Sequence, residues 1–206
     1  QVTAHAAAEL SGLVGVEGVR PWAIPDIEYD AWDGEGSPTI VTLKSGDSHS
    51  GDPGIQSSFF YPAAFPPIDR LQMYENICPC PGDADTGGAT YRDNIINGIQ
   101  YSLFYGDTFL SEPGNMIGPT MQGVRDLINM GVEEVIVPLY KYKDGDGNII
   151  DYDSGRKPYE ISDFGIFHLL EVQGQDVVGY FVERTIPGFS GPPNPNSSVT
   201  TLRLVE

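Results

Sequence analysis

The sequence predicts an α/β or α+β fold: a mixed β-sheet with few short helices and long ordered loops. Three observations carry this expectation. Apolar and β-branched runs of strand length recur from Thr39 to the end of the chain, whereas helical spacing is confined to short stretches. Gly (25) and Pro (17) make up about a fifth of the 206 residues, enough for many turns but below the level of a low-complexity chain. An apolar content of 40% at this length is enough for one domain with a buried core.

Each element follows in order. The alanine-rich opening, Val2 to Leu13, suits a helix or a packed extended arm, and Gly12, Gly15, Gly18 and Pro21 end any helix there. Pro21-Trp22-Ala23-Ile24-Pro25 and the acidic, aromatic stretch Asp26 to Asp33 read as ordered loop. Thr39 to Leu43 is a strand closed by Ser45-Gly46-Asp47. Gly46 to Thr86 is a long loop, a feature that is functional or heavily packed in compact domains. Thr90 to Asp93 forms a weak capping box that starts a short helix ending at Asn97-Gly98. Ile99 to Tyr105 and Thr108 to Leu110 are strand candidates. In Gly114 to Thr120, Gly and Pro fix a tight path, Met116 and Ile117 are buried plugs, and Thr120 caps a helix. Met121, Val124, Leu127 and Ile128 form that helix's apolar face, and Gly131 ends it. Val132 to Tyr142 is a strand with a continuous apolar run, as for a position covered on both faces. Phe164 to Val172 and Val177 to Ile186 form a hairpin across Gly174-Gln175-Asp176. Pro187 to Ser198 is a linker, and Val199 to Val205 is an added strand.

Charge and motifs exclude several functions. A net charge of −18 repels phosphate backbones and anionic membrane surfaces, so nucleic acid is not a partner and cations or basic surfaces are. No apolar run is long enough to span a membrane. The chain begins with Gln rather than Met, so a mature or trimmed piece is expected, with any anchor or signal upstream. Gly188-Phe189-Ser190-Gly191-Pro192 lacks the last Gly of a nucleophile elbow, and no phosphate-binding loop occurs. Cys78-Pro79-Cys80 reads as an incidental or locally bridged pair. His168 alternates with Phe164, Ile166 and Leu170, which marks a packed, hydrogen-bonded residue rather than a ligand.

The best chemical site is the acidic loop Asp144 to Asp153. Asp144, Asp146 and Asn148 alternate as the oxygen donors of a Ca²⁺ loop do, with a carbonyl near Ile150 as a fourth ligand. The loop departs from an EF-hand at Ile149 and Gly155, so Asp153 or Asp151 would replace the missing bidentate Glu. The alternative is a solvated hairpin tip, because Asp-Gly is also a turn signal. Asp83-Ala84-Asp85-Thr86-Gly87 carries the same ambiguity. Phe59, Phe60 and Tyr61 form an aromatic cluster that either meets a partner or covers a sheet edge. Val199, Leu202 and Leu204 belong to a strand able to complete a neighbour's sheet.

A resemblance extends this reading. Tyr91-Arg92-Asp93-Asn94-Ile95-Ile96-Asn97-Gly98, Gly106-Asp107-Thr108, and Glu112-Pro113-Gly114-Asn115-Met116-Ile117-Gly118-Pro119-Thr120 with Gln122-Gly123 resemble the extracytoplasmic region of TadG-like proteins of the Tad (Flp) pilus assembly family. Gly18-Val19-Arg20-Pro21-Trp22-Ala23-Ile24-Pro25, Val135 to Leu139 and Val178 to Val182 are similar to its flanking segments, so the likeness covers residues 18–187. On this basis residues 1–20 form an arm, 21–187 the TadG-like domain, and 188–206 a linker with a C-terminal strand. Asp47-Ser48-His49-Ser50 departs from the Asp-x-Ser-x-Ser metal motif of the von Willebrand A-type domain that many such proteins carry.

The resemblance implies a bacterial cell-surface protein, extracytoplasmic and anchored by a membrane segment upstream of this chain. It implies no catalytic residues. The expected function is non-enzymatic: pilus or surface-structure assembly through contact with other pilus or envelope subunits. The alternatives are a self-polymerising filament subunit and a Ca²⁺-dependent hydrolase of envelope polymers.

Overall fold

The longest strand organises the molecule. A computed structural model describes residues 7–26, 40–44, 61–65, 87–111, 116–141, 144–148, 158–173, 176–191 and 199–205. Within them a seven-stranded sheet runs in the order β3 (Val41–Lys44), β9 (Asp176–Val182), β8 (Pro158–Gln173), β6 (Thr108–Ser111), β4 (Tyr61–Ala64), β2 (Trp22–Pro25), β7 (Glu134–Tyr140). Because β7 also pairs with β8, the strands β8, β6, β4, β2 and β7 close into a ring. A five-stranded sheet contains β10 (Arg184–Thr185), β12 (Val199–Val205), β1 (Ala7–Val16) and β11 (Phe189–Gly191), with β5 (Leu103–Phe104) added to β1. Two helices, α1 (Gly87–Asn97) and α2 (Ile117–Asn129), complete the described elements. This is the mixed-sheet fold with short helices that the sequence predicts.

The side-chain pattern of β8 explains how one strand serves two cores. Its register with β7 slips between Leu139↔Asp163 and Tyr140↔Ile161, and one extra residue in a strand moves later side chains to the other face. Tyr159 and Ile161 before the slip, and Phe164 and Ile166 after it, therefore enter the same core. There they join Leu13 and Val16 of β1 and Val199 of β12, which ties the five-stranded sheet to the ring. The Phe109 ring stacks on Tyr159 at 5.4 Å, and Tyr140 meets Tyr159 edge-on at 5.0 Å. Phe167 and Leu169 take the opposite face and pack with Val135 and Val137 beneath Tyr91 and Ile95 of α1 and Val124 and Leu127 of α2. Strand β7 is thus covered on both faces, as its unbroken apolar run requires. Gly123 allows the helices to approach, since a Cβ there would lie 2.6 Å from the Ile95 side chain.

A short crossover from Glu17 to Pro21 joins the two sheets. Gly18 N–H donates to Ile99 O (3.0 Å), Ile99 N–H to Val19 O (2.9 Å), Arg20 N–H to Ile136 O (2.7 Å) and Ala63 N–H to Pro21 O (2.9 Å). The Arg20 guanidinium folds back onto Gly18 O at 2.9 Å, and burial lowers its pKa. Gly98, at φ 73°, ends α1 directly against this knot.

Several local expectations are corrected. Of the two forms open to the start of the chain, the described residues take the extended one, β1, with Gly12 and Gly15 inside the strand. Trp22–Pro25 is a strand rather than loop, because its backbone pairs with β4 and β7 on opposite edges. Tyr61–Ala64, inside the supposed long loop, is a ring strand for the same reason, pairing with β2 and β6. Of Ile99 to Tyr105 only Leu103–Phe104 is strand, since Ile99 spends its N–H on the crossover. Phe189–Gly191 lies in the expected linker yet pairs with β1. Neither threonine caps a helix. Helix α1 begins at Gly87, and α2 begins after Met116, a residue at φ 41°. Thr120 Oγ1 donates back to Met116 O at 2.8 Å, and Pro119 is tolerated in a first turn that needs no donor from it. Met116 and Ile117 are half-buried rather than plugs.

Gly98→Ala, which forces a side chain into the left-handed region and against Arg20 and Gly18, should lower unfolding free energy by about 2–4 kcal/mol in urea. A loss below about 0.5 kcal/mol would show that the knot is slack. The Tyr101 hydroxyl is buried with no hydrogen-bond partner among the described residues, and burial, then Asp107, raises its pKa. The neutral phenol is therefore compatible with the fold below about pH 10, and stability falls as pH rises from there through the raised folded value. Tyr101→Phe should be neutral or stabilising within about 1 kcal/mol at pH 7 and should remove that alkaline loss.

Candidate functional site

The acidic loop closes on itself. Asp144 Oδ1 accepts the backbone N–H groups of Asp146 and Asn148, both at 2.9 Å, and the Asn148 side-chain amide lies 3.2 Å from Asp144 Oδ2. Asp144 N–H donates to Asn148 O (2.9 Å), and Gly147 N–H donates to Asp144 O (3.0 Å) at a glycine with φ 85°. An aspartate that accepts from the two following turns of backbone is the Asx-type tip that Asp-Gly sequences favour. Asp144 thus meets the Asn148 side chain and the Asp146 backbone, all three residues being exposed, whereas Ile150, Asp151 and Asp153 lie outside the described residues, as does Asp83–Thr86. Among the described residues no three His, Cys, Asp or Glu side chains converge as a metal site.

The predicted interaction residues divide. Phe59 and Phe60 lie outside the described residues, as do both cysteines, and Tyr61 contributes backbone to the ring. Val199, Leu202 and Leu204 fall on β12, which pairs antiparallel with β1 from Ala7↔Val205 to Gly12↔Thr200. Val199 is fully buried and anchors that strand. On its other side β12 pairs with β10 only at Val199 and Thr200, and β1 pairs with β11 only between Gly12 and Gly15. Beyond these points, among the described residues, β1 and β12 run on as a two-stranded ribbon. Among the described residues no strand lies along the outer edges of Ala7–Leu10 or Leu202–Val205.

His168 is largely buried, while Leu170, expected on the same face, is exposed past a register slip between Leu169 and Glu171. Its ring stacks on Tyr180 at 4.7 Å, and its two nitrogens each lie 3.9 Å from a carboxylate, of Glu133 and of Glu134. Glu134 also accepts two hydrogen bonds from Arg184, at 2.6 and 3.1 Å, linking β7 of one sheet to β10 of the other and raising the Arg184 pKa.

A further surface, not marked by any sequence motif, is aromatic. Phe104 and Phe189 flank Gly15 on opposite edges of β1, and their rings meet at 5.0 Å. The available signal was Gly15 itself, whose Cβ position is occupied by the Phe104 ring. No described helix is long and apolar enough to cross a membrane. No protein-family model, curated protein or solved structure matches the chain.

The hydrogen bonds from Asn148, backbone first and then side chain, hold the Asp144 carboxyl below the usual aspartate range. A depressed folded pKa favours the closed turn above the unfolded value, and this contribution disappears as pH falls through the folded pKa. In an NMR titration the Asp146 and Asn148 amide shifts should move with a midpoint below about 3.9, and a midpoint at or above it would contradict the assigned turn.

Proposed function

We propose that the chain is a non-enzymatic, extracytoplasmic cell-surface module that serves pilus or surface-structure assembly by contact with other envelope subunits, as the TadG-like resemblance implies. The observation that carries this reading is the ribbon of β1 and β12. Its outer edges have no described strand beside them, it contains no proline, and Glu9 and Arg203, opposite one another in register, are its only charged residues over Ala7–Leu10 and Thr201–Val205. An edge with these features is a template for strand addition, in which main-chain hydrogen bonds supply affinity. The rest of the body is cross-tied by two cores and suits a rigid carrier for it.

The presence of two such edges on one ribbon favours a second reading, a self-polymerising subunit that adds head to tail. A charge of −18 on every copy opposes that step, so it should be promoted by salt.

Deleting the gene from the bacterium that carries it should remove surface filaments seen by electron microscopy. Wild type should restore them, and Leu204→Pro, with an unchanged thermal midpoint, should not. Normal filaments in the deletion strain would contradict the assembly role. Purified chain that stays monodisperse and monomeric at high concentration and high salt would sink the filament version. We also propose Ca²⁺ as the ion ordering the Asp144 loop: Ca²⁺ should raise the thermal midpoint of wild type but not of Asp144→Ala. A wild-type midpoint indifferent to Ca²⁺ and to chelator would reduce the loop to a bare turn.

A further inference from the structure

We infer that the aromatic face around Gly15 docks a cationic, arginine- or lysine-bearing segment of a partner protein. Two of the six large apolar side chains exposed among the described residues meet here: Phe104 (39% exposed) and Phe189 (46%). Leaving such rings in water sacrifices burial energy, and a cluster of them on a sheet face marks an interaction surface.

The backbone that carries the Phe104 ring is held in place before any partner arrives. Asp107 Oδ2 accepts the Phe104 N–H at 2.8 Å, Asp107 N–H donates to Phe104 O at 3.0 Å, and Tyr105 N–H donates to Val14 O at 2.9 Å. Gly106 N–H donates to Ile161 O, and Ile161 N–H returns a bond to Asp107 O, which fastens the turn to β8. A face ordered in this way loses little conformational freedom on binding.

Charge selects the partner. Two residues along each strand from the Gly15↔Phe104 pair, and on the same face by strand alternation, the exposed Glu17 carboxylate accepts from Ser102 Oγ at 2.9 Å. Arg92, Lys141 and Arg184 are already paired with Asp126, Glu160 and Glu134. An aromatic pair with a carboxylate at its rim, on a chain of charge −18, fits a guanidinium or ammonium that stacks on a ring and pairs with the acid. A second copy of this chain is the wrong sign, and the field of the whole molecule draws a basic partner in.

The test titrates the chain with a short capped peptide alternating arginine and glycine, and with its citrulline counterpart, at about 0.15 M salt. The arginine peptide should shift the amides of Phe104 to Asp107 and of Phe189 first. Phe104→Ala and Phe189→Ala should each weaken it about tenfold. Glu17→Gln should weaken it about threefold and keeps the readout if the Phe104 variant disturbs β5. Leu204→Pro in β12 should leave peptide binding intact, so failure here and failure of strand addition are separable. Shifts spread evenly over the acidic surface and insensitive to these substitutions would overturn the inference. So would equal binding of the citrulline peptide, or insertion of the rings into neutral phosphatidylcholine vesicles in place of peptide binding.

Discussion

The fold depends on five residues, Glu17 to Pro21, that carry the chain from one sheet to the other. A crossover between sheets exposes backbone donors and acceptors at a place where water is excluded, and those groups must find partners. Here the partners come from elements far apart in sequence: Ile99 after α1, Ile136 in β7 and Ala63 in β4. Val19 and Trp22, both fully buried, are pinned by these bonds on either side of Arg20. The crossover thus orients β1 against β8, sets where α1 ends, and positions β2 between β4 and β7 to close the ring.

Much of this was legible in the sequence and some was not, for physical reasons. Strand β7 declared itself because burial on both faces leaves an unbroken apolar run, and α2 because its apolar residues recur at helical spacing. Gly98 and Gly131, at φ 73° and 74°, marked helix ends because only glycine takes that conformation cheaply. Trp22–Pro25, Tyr61–Ala64 and Phe189–Gly191 were hidden because short strands rich in Pro, Ala and Gly lack alternation, and only long-range pairing makes them strands. Thr120 misled because a hydroxyl that donates inside a first helical turn has the same local sequence as one that caps it. At the candidate sites, the Asp144 turn was readable from Asp-Gly chemistry. The Phe104–Phe189 pair was not, since 85 residues separate rings that only the folding of β5 and β11 about Gly15 brings together.

A rigid body carries two kinds of surface. The body, cross-tied by two cores and the Glu134–Arg184 bridge between sheets, holds the β1–β12 ribbon at one place and the aromatic face beside Gly15 at another. Strand addition supplies backbone affinity with little sequence demand, whereas rings with a carboxylate at their rim supply selectivity for a basic segment. A charge of −18 sets copies of the chain against one another and favours partners of opposite sign.

The central claim is that the outer edges of β1 and β12 are occupied in the assembled state. Amide hydrogen exchange, compared between the purified chain and the same chain within isolated surface structures, tests it most directly. The account predicts that alternate amides of Leu202–Val205 or Ala7–Leu10, unprotected in the purified chain, become protected on assembly while those bonded between β1 and β12 stay protected throughout. Identical exchange at both edges in the two states would contradict it.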